Sequence, residues 1–138
     1  MTSMNTSKNS LIYSYGIIPI YKNSDGKSEY LVVRNHGGFW GFPKGKPENN
    51  EKPVQSAVRE AYEETGITVS DSELKSSIEY SYIMTSGQKK IVTLFPVYVE
   101  SRNVKLQNKE LQNFKWASLD EALELIDIDG LKNQLKDL

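Results

Sequence analysis

The chain has 138 residues, 38% hydrophobic and 25% charged, with 17 Lys and Arg against 18 Asp and Glu. That length favours one domain spanning 1–138, and that balance permits a globular core. A formal net charge of −1 leaves no electrostatic footprint for general nucleic-acid binding, and the lack of cysteine excludes disulfides and thiolate zinc sites.

The first ten residues, MTSMNTSKNS, are polar and expected to be flexible. The apolar stretch that follows, LIYSYGIIPI, is too short to span a bilayer, contains Pro19 and has no basic leader. Neither a membrane span nor a signal peptide is therefore expected, and a cysteine-free chain fits a reducing compartment, so the expected location is cytoplasmic. Residues 13–21 read as a strand rich in Tyr and Ile, with Pro19 implying an edge or a bulge. Asn23-Ser24-Asp25-Gly26 is a turn signal, and the apolar run at 30–33 makes a short buried strand, so the first two strands are expected to form a hairpin. Residues 35–50, rich in Gly, Pro and Asn, read as a loop.

Residues 52–65 read as a helix, with Pro53 in its first turn and Gly66 just past its end. Ile78, Tyr80, Tyr82 and Met84 alternate with Ser77, Glu79, Ser81 and Ile83 in a strand pattern. Ser86-Gly87 turns the chain, and 91–99 returns as a strand in which Pro96 marks an edge or bulge. Ser118-Leu119-Asp120-Glu121 is a capping-box signature that opens a helix to about Ile126. A last helix is expected over 131–136. Strands before and after a helix, with helices at the end, predict an α/β sandwich around a mixed sheet.

Within the first helix, the stretch REAYEETG (59–66) places Glu60, Glu63 and Glu64 within about one turn. At about 100° per residue, Val54, Ala57, Val58 and Ala61 share one face; the three glutamates fall on the adjacent arc, and Arg59 lies beyond them. Like charges at i,i+3 and i,i+4 repel by roughly 0.2–0.5 kcal/mol per pair. Glu63 and Glu64 also lie near the C-terminal end, where the helix dipole disfavours anions. A solvated acidic stripe is the ordinary outcome of such a pattern. A divalent cation would reverse both penalties, and hard carboxylate oxygens without Cys or clustered His suit Mg²⁺ or Mn²⁺ rather than zinc.

The flanking sequence decides between the two. Gly45 is followed by five residues and Glu51, then by seven residues and Arg59-Glu60; Ala61, Tyr62, Glu63-Glu64, Thr65, Gly66 and Ile67 complete the run. This resembles the signature of the Nudix hydrolase family, G-x5-E-x7-R-E-U-x-E-E-x-G-U, with U a bulky aliphatic residue. Every fixed position matches, Ala61 being smaller than the usual aliphatic. With seven fixed residues, a chance match is on the order of 10⁻⁸ per starting position. The resemblance spans roughly residues 12–136 and implies an α/β/α sandwich with the signature as loop–helix–loop. It also implies hydrolysis of a nucleoside diphosphate linked to another moiety, with Mg²⁺ or Mn²⁺ and more than one ion. By motif position, Glu60, Glu63, Glu64 and the Gly45 carbonyl are the implied metal ligands. Glu51 would act through water or support the site, and Arg59 would orient the glutamates by charge-assisted hydrogen bonds. Clustered divalent ions neutralise an anionic linkage, lower the pKa of a bound water and stabilise the departing phosphate. A glutamate can take the proton from that water. Glu60 and Glu63 are candidates, as is Glu110, which lies in a loop before the capped helix; an exposed loop carboxylate is the other reading of Glu110.

Two flanking segments narrow the substrate by likeness. FWGFPKGKPE (39–48) and NKELQNFKWASLDEAL (108–123) are similar to segments of the branch of the family that hydrolyses diadenosine polyphosphates. The implied reaction is asymmetric cleavage of a dinucleoside tetraphosphate such as Ap4A into a nucleoside triphosphate and a monophosphate. Lys44 and Lys46 are candidates to hold phosphate oxygens as point charges, and Lys89 or Lys90 could reach a phosphate after the hairpin turn. Tyr80, Tyr82 or Phe114 could stack on a base, although Tyr80 and Tyr82 on one strand face also suit a core. Trp40 and Trp116 read as packing residues. His36, the lone histidine, reads as a loop residue near enough to the groove to touch substrate. The F-P-K-G-K segment is similar to mRNA-decapping members and to RNA 5′-pyrophosphohydrolases as well, so an RNA 5′ end is the alternative substrate. An alternative of another class is a nucleotide-sensing module without turnover, which loss of a signature glutamate would favour. A phosphate-binding loop is excluded at Gly45-Lys46, because Trp40 and Pro47 stand where it needs Gly and Ser or Thr. Asp127-Ile128-Asp129-Gly130 lacks the remaining ligands of a calcium loop.

Overall fold

The computed structural model describes residues 10–107 and 109–138. The expectation of a flexible N-terminus falls on residues 1–9, outside the described ones. Strands β1 (Leu11–Lys22) and β2 (Ser28–Asn35) form the expected antiparallel hairpin, with Ile20 opposite Tyr30 and Lys22 opposite Ser28. Asn23 closes it: its Oδ1 accepts from the N–H of Asp25 at 2.9 Å and of Lys27 at 3.0 Å. Local side-chain capping of this kind is why Asn opens turns.

From residue 16 to residue 20, β1 is buried on both faces. Ile18 and Ile20 point into one core and Ile17 into the other, the continuous apolar reading of a central strand. Along one side β1 pairs in parallel with β6 (Lys89–Tyr98), from Leu11 opposite Lys89 to Ile20 opposite Tyr98. Strand β5 (Ile78–Ile83) runs antiparallel to β6 and edges the sheet. On the far side of β2 lies β7 (Leu111–Ala117), also antiparallel. Where β1 and β2 diverge, two short strands fill the wedge: β3 (Trp40–Gly41) on β2 and β4 (Lys44–Gly45) on β1.

Helix α1 (Pro53–Thr65) covers one face of this mixed sheet, packing Ala57 and Ala61 toward Ile17, Leu31 and Phe95. Its start is set by Pro53 and by the Lys52 N–H donating to Gln55 Oε1 at 2.9 Å. Its end is set by Gly66 at φ 75°, whose N–H returns to the Tyr62 carbonyl, a left-handed stop open to glycine. Helices α2 (Leu119–Leu125) and α3 (Asp129–Leu135) cover the opposite face with Ala122, Leu131 and Leu135, joined by Ile126 from the link between them, against Ile18, Val92 and Leu94. Ser118 caps α2, its Oγ accepting the Glu121 N–H at 3.2 Å. The architecture is the expected α/β/α sandwich. Ile17, Ile18, Leu31 and Leu94 are fully buried, each worth about 1.5–3 kcal/mol.

Four features differ from the sequence reading. Pro19 lies in the central strand, not at an edge. The Ile17 N–H donates to Pro43 O on the β4 side, and strand alternation turns residue 19 the same way. It falls between the β4 pairs, which end at Gly16, and the β2 pairs, which begin at Ile20, so no ladder bond is missing there. Pro96, by contrast, lies beyond the last β5 pair at Leu94 and meets the edge expectation. Residues 111–117 form a strand that the sequence did not announce, and the stretch read as loop contains β3 and β4. A 3₁₀ turn at Asp71–Glu73, opened by Ser70, was also unforeseen.

The crossing of β4 over β1 depends on Gly16. A Cβ there would lie 2.0 Å from the Pro43 carbonyl oxygen and 2.6 Å from Lys44 Cβ. Gly16→Val should push β4 off the sheet and cost about 3 kcal/mol of stability, read by urea unfolding. A variant as stable as the parent would mean that the close approach is not required.

Candidate active site

Strand β4 and helix α1 face one another through a glycine. A Cβ on Gly45 would lie 2.1 Å from Glu60 Cδ and Oε2, so only glycine lets that carboxylate rest against the strand. One turn on, Glu64 is 6% exposed and accepts the Lys44 N–H through Oε1 at 3.2 Å. The acidic arc of α1 is thereby laid on β4.

Arg59 ties this arc to the loop before the helix. Its Nε donates to Glu51 Oε2 at 2.7 Å and its Nη2 to Glu51 Oε1 at 3.0 Å. Nη1 donates to Glu60 Oε2 at 3.1 Å and to Glu63 Oε1 at 2.9 Å, and Nη2 also donates to the Lys46 carbonyl at 2.9 Å. Glu51 Oε1 accepts further bonds from Ser56 Oγ and the Glu48 N–H. Hydrogen bonds from Arg59 hold the Glu51 carboxyl down at about 2, and the same bonds raise the Arg59 pKa. The other carboxylates move the opposite way. Burial pushes Glu64 up to about 8, Glu60 adding to the shift and Lys44 opposing it. Burial also raises Glu60, against the pull of Arg59.

Among the described residues, no three acidic or histidine side chains form a closed cation cage, since Arg59 draws Glu60 and Glu63 to itself. The donor set nevertheless fits a hard divalent cation. Glu60, Glu63, Glu64 and the Gly45 backbone offer only oxygen; Glu64 is a buried carboxylate and Glu60 a part-buried one against the strand.

The carboxylates open into a cleft of about 1110 Å³. Lys44, Lys46, Lys90 and Glu110 line it, as do Tyr80 and Tyr82, whose rings stack at 6.3 Å and 17°. Burial lowers the Lys44 pKa despite Glu64, Glu60 and Glu110; burial, then Lys44 and Lys46, bring Lys90 down to about 8. Trp40 lines the cleft and packs on the core below it. Three candidates are placed elsewhere. Lys89 is exposed and pairs with Ile83 and Leu11 on the other phase of β6. Phe114 packs on the α1-side core. His36 sits outside the cleft lining, its ring against the Lys109 carbonyl and its N–H on the Glu110 carbonyl. Trp116 packs at that side too, in an edge-to-face contact with Tyr21. Phe39, Ser14 and Asn35 line the cleft although the sequence did not single them out. Strand phase was the available signal for Lys90 and Ser14, which share a face with Val92 and Ile18 respectively.

The NUDIX domain profile matches residues 13–138. The chain belongs to the Nudix family. It is 29% identical over 131 residues to the asymmetrical bis(5′-nucleosyl)-tetraphosphatase of Mus musculus, covering 92% of this chain and 88% of that one. A crystal structure of a C. elegans Ap4A hydrolase binary complex superposes with a TM-score of 0.81 at 26% identity, covering 91% of this chain and 93% of that one. The mRNA decapping complex subunit 2 of Schizosaccharomyces pombe is 35% identical over 81 residues, 58% of this chain but 11% of that protein. The chain is thus a Nudix pyrophosphohydrolase acting on phosphoanhydride bonds, in a family that uses divalent metal ions.

The Glu64 environment sets a pH dependence. Glu64 ionises near 4.5 when unfolded and near 8 in the fold. Its folded pKa is raised, so its contribution to stability is whole below pH 4.5 and is lost as pH rises through about 8. In EDTA, the melting temperature of the parent should therefore fall relative to Glu64→Gln between about pH 5 and about pH 8.5. A difference between the two that does not change with pH would contradict this environment.

Proposed function

We propose that the protein is a Mg²⁺- or Mn²⁺-dependent hydrolase that cleaves a dinucleoside tetraphosphate asymmetrically, by water attack on phosphorus, into a nucleoside triphosphate and a monophosphate. The observation that carries it is buried Glu64 and part-buried Glu60 held beside Lys44 and Gly45, next to a cleft lined by lysines and tyrosines. Likeness to the mouse tetraphosphatase and the C. elegans Ap4A hydrolase over nine-tenths of the chain supports the substrate.

Glu60, Glu63, Glu64 and the Gly45 carbonyl would hold the ions. Bound divalent ions neutralise the phosphate chain, lower the pKa of a water and stabilise the departing phosphate. Arg59 fixes Glu60 and Glu63 while Glu51 anchors Arg59, so the carboxylates do not splay under their own repulsion. Lys44, Lys46 and Lys90 present point charges to phosphate oxygens from the cleft wall. Tyr82, backed by Tyr80, offers a ring face to a base. The proton of the attacking water goes to a carboxylate at the cleft: Glu63, Glu60 or Glu110. A cysteine-free chain suits a reducing compartment, and we place the activity in the cytoplasm.

The partial likeness to a decapping subunit makes an RNA 5′ end the second reading. The net charge of −1 weighs against it, since RNA binding draws on clustered Lys and Arg. A sensing module without turnover is weighed against by the presence of Glu51, Glu60, Glu63 and Glu64 together.

Glu63→Gln should lower kcat by about 100-fold or more with the melting temperature preserved, because it removes a charge at the site from a side chain that is half exposed. Chromatography of products from Ap4A, capped RNA and triphosphate-ended RNA in Mg²⁺ gives the substrate. ATP and AMP in equal amounts are expected. Near-full activity in the variant would remove the catalytic assignment, and preference for capped RNA would replace the substrate.

A further inference from the structure

The rim of the cleft opposite Tyr80 and Tyr82 carries an apolar ring that packing does not explain. Phe39 is 57% exposed yet lines the cleft. The turn that presents it is tightly fixed. The Asn35 N–H donates to the Phe39 carbonyl at 3.0 Å, Asn35 Oδ1 accepts the Phe39 N–H at 3.0 Å, and the Gly38 N–H donates to the Asn35 carbonyl at 2.9 Å. Gly38 adopts φ 89°, and Arg34 Nε closes on its carbonyl at 3.4 Å. A ring presented on a fixed turn and left in water forgoes its own burial; a flat apolar ligand would recover it with only the ring's own rotamers left to order.

The layout of the cleft indicates which ligand. Tyr82 is on β5; the turn bearing Phe39 hangs from the end of β2. Between those strands run β1 and β6, so the strands from which the two aromatics are presented lie three inter-strand spacings apart in the sheet, about 14 Å. One base with its own sugar does not bridge such a gap. Between the walls lie Lys44 and Lys90, the pair suited to a phosphate chain. Ring, cations, ring is the order of a molecule with a base at each end of a polyphosphate.

We propose that Phe39 is the stacking platform for the second base of a two-base polyphosphate, and so a residue that sets preference for dinucleoside over mononucleoside polyphosphates. This rests on the hydrolase reading above and deepens it. The test compares diadenosine tetraphosphate with adenosine 5′-tetraphosphate, which has the same phosphate count and one base. The parent should show the lower KM for the two-base ligand. Phe39→Ala should raise that KM about 5- to 100-fold, the range for loss of one stacked base. The ratio of one-base to two-base KM should thus fall toward unity, with kcat for the two-base ligand within about twofold of the parent. Phe39→Trp should restore the ratio. An unchanged ratio in Phe39→Ala, or equal losses for both ligands, overturns the proposal. The same two ligands titrated in EDTA, followed by tryptophan fluorescence, separate the two readings. A two-base preference that depends on Phe39, without turnover in any metal, sinks the hydrolase and keeps the platform. Turnover without that dependence sinks the platform alone.

Discussion

One guanidinium holds the candidate site together. Arg59 reaches Glu51 on the loop before α1, Glu60 and Glu63 on α1, and the Lys46 carbonyl just after β4. Without it, the crowded carboxylates of one helical turn would separate, and Glu51 would keep only its Ser56 bond to the helix. A planar fork with five donors is suited to such divided work, and a lysine is not. The cost is that its positive charge is spent on Glu51 first. Glu51 is held fully ionised, while Glu60 and Glu64 are left short of positive charge. Structural pairing and an unmet demand for cations thus arise from the same residue.

The cleft exists because β1 and β2 part company. Beyond Ile20 and Tyr30 the two strands no longer pair, and β3 and β4 enter the wedge. Gly16 lets β4 close on β1, and Gly45 lets Glu60 close on β4. Two missing side chains therefore set the depth at which the glutamates sit. On the opposite wall, α3 packs near β5, where a Gly130 Cβ would come within 3.3 Å of Tyr80 Cβ.

Much of this was legible in the residues, for a physical reason. The spacing from Gly45 to Gly66 encodes a loop, a helix and three carboxylates on one arc, all local relations along the chain. The hairpin turn at Asn23, the Gly66 stop and the Ser118 cap are equally local. What failed depended on distant partners. Pro19 looked like an edge because its missing N–H needs an empty ladder position, which only the β1–β2 divergence supplies. Strand β7 was hidden because Gln112 and Asn113 break the alternation of Leu111, Phe114 and Trp116, next to a register shift at Arg34/Asn35. Lys89 and Lys90 are neighbours in sequence, yet pleating sends one to each face, and only the phase set by buried Val92 and Leu94 tells them apart. Phe114 looked like a base platform until its partner strand placed it on the α1 side.

Lys44 links the two halves of the site. Its backbone N–H is donated to Glu64, while its side chain lines the cleft. Burial and its neighbours act on it in opposition: desolvation lowers its pKa, and Glu64, Glu60 and Glu110 raise it. A phosphate chain entering the cleft adds negative charge beside Lys44 and favours its ammonium form; a divalent cation among the glutamates removes the negative charge that now supports it. The two ligands therefore pull on the same lysine in opposite directions when bound singly, and compensate when bound together. A two-residue strand anchored by one carboxylate is a short lever, so this coupling requires no movement of the sheet.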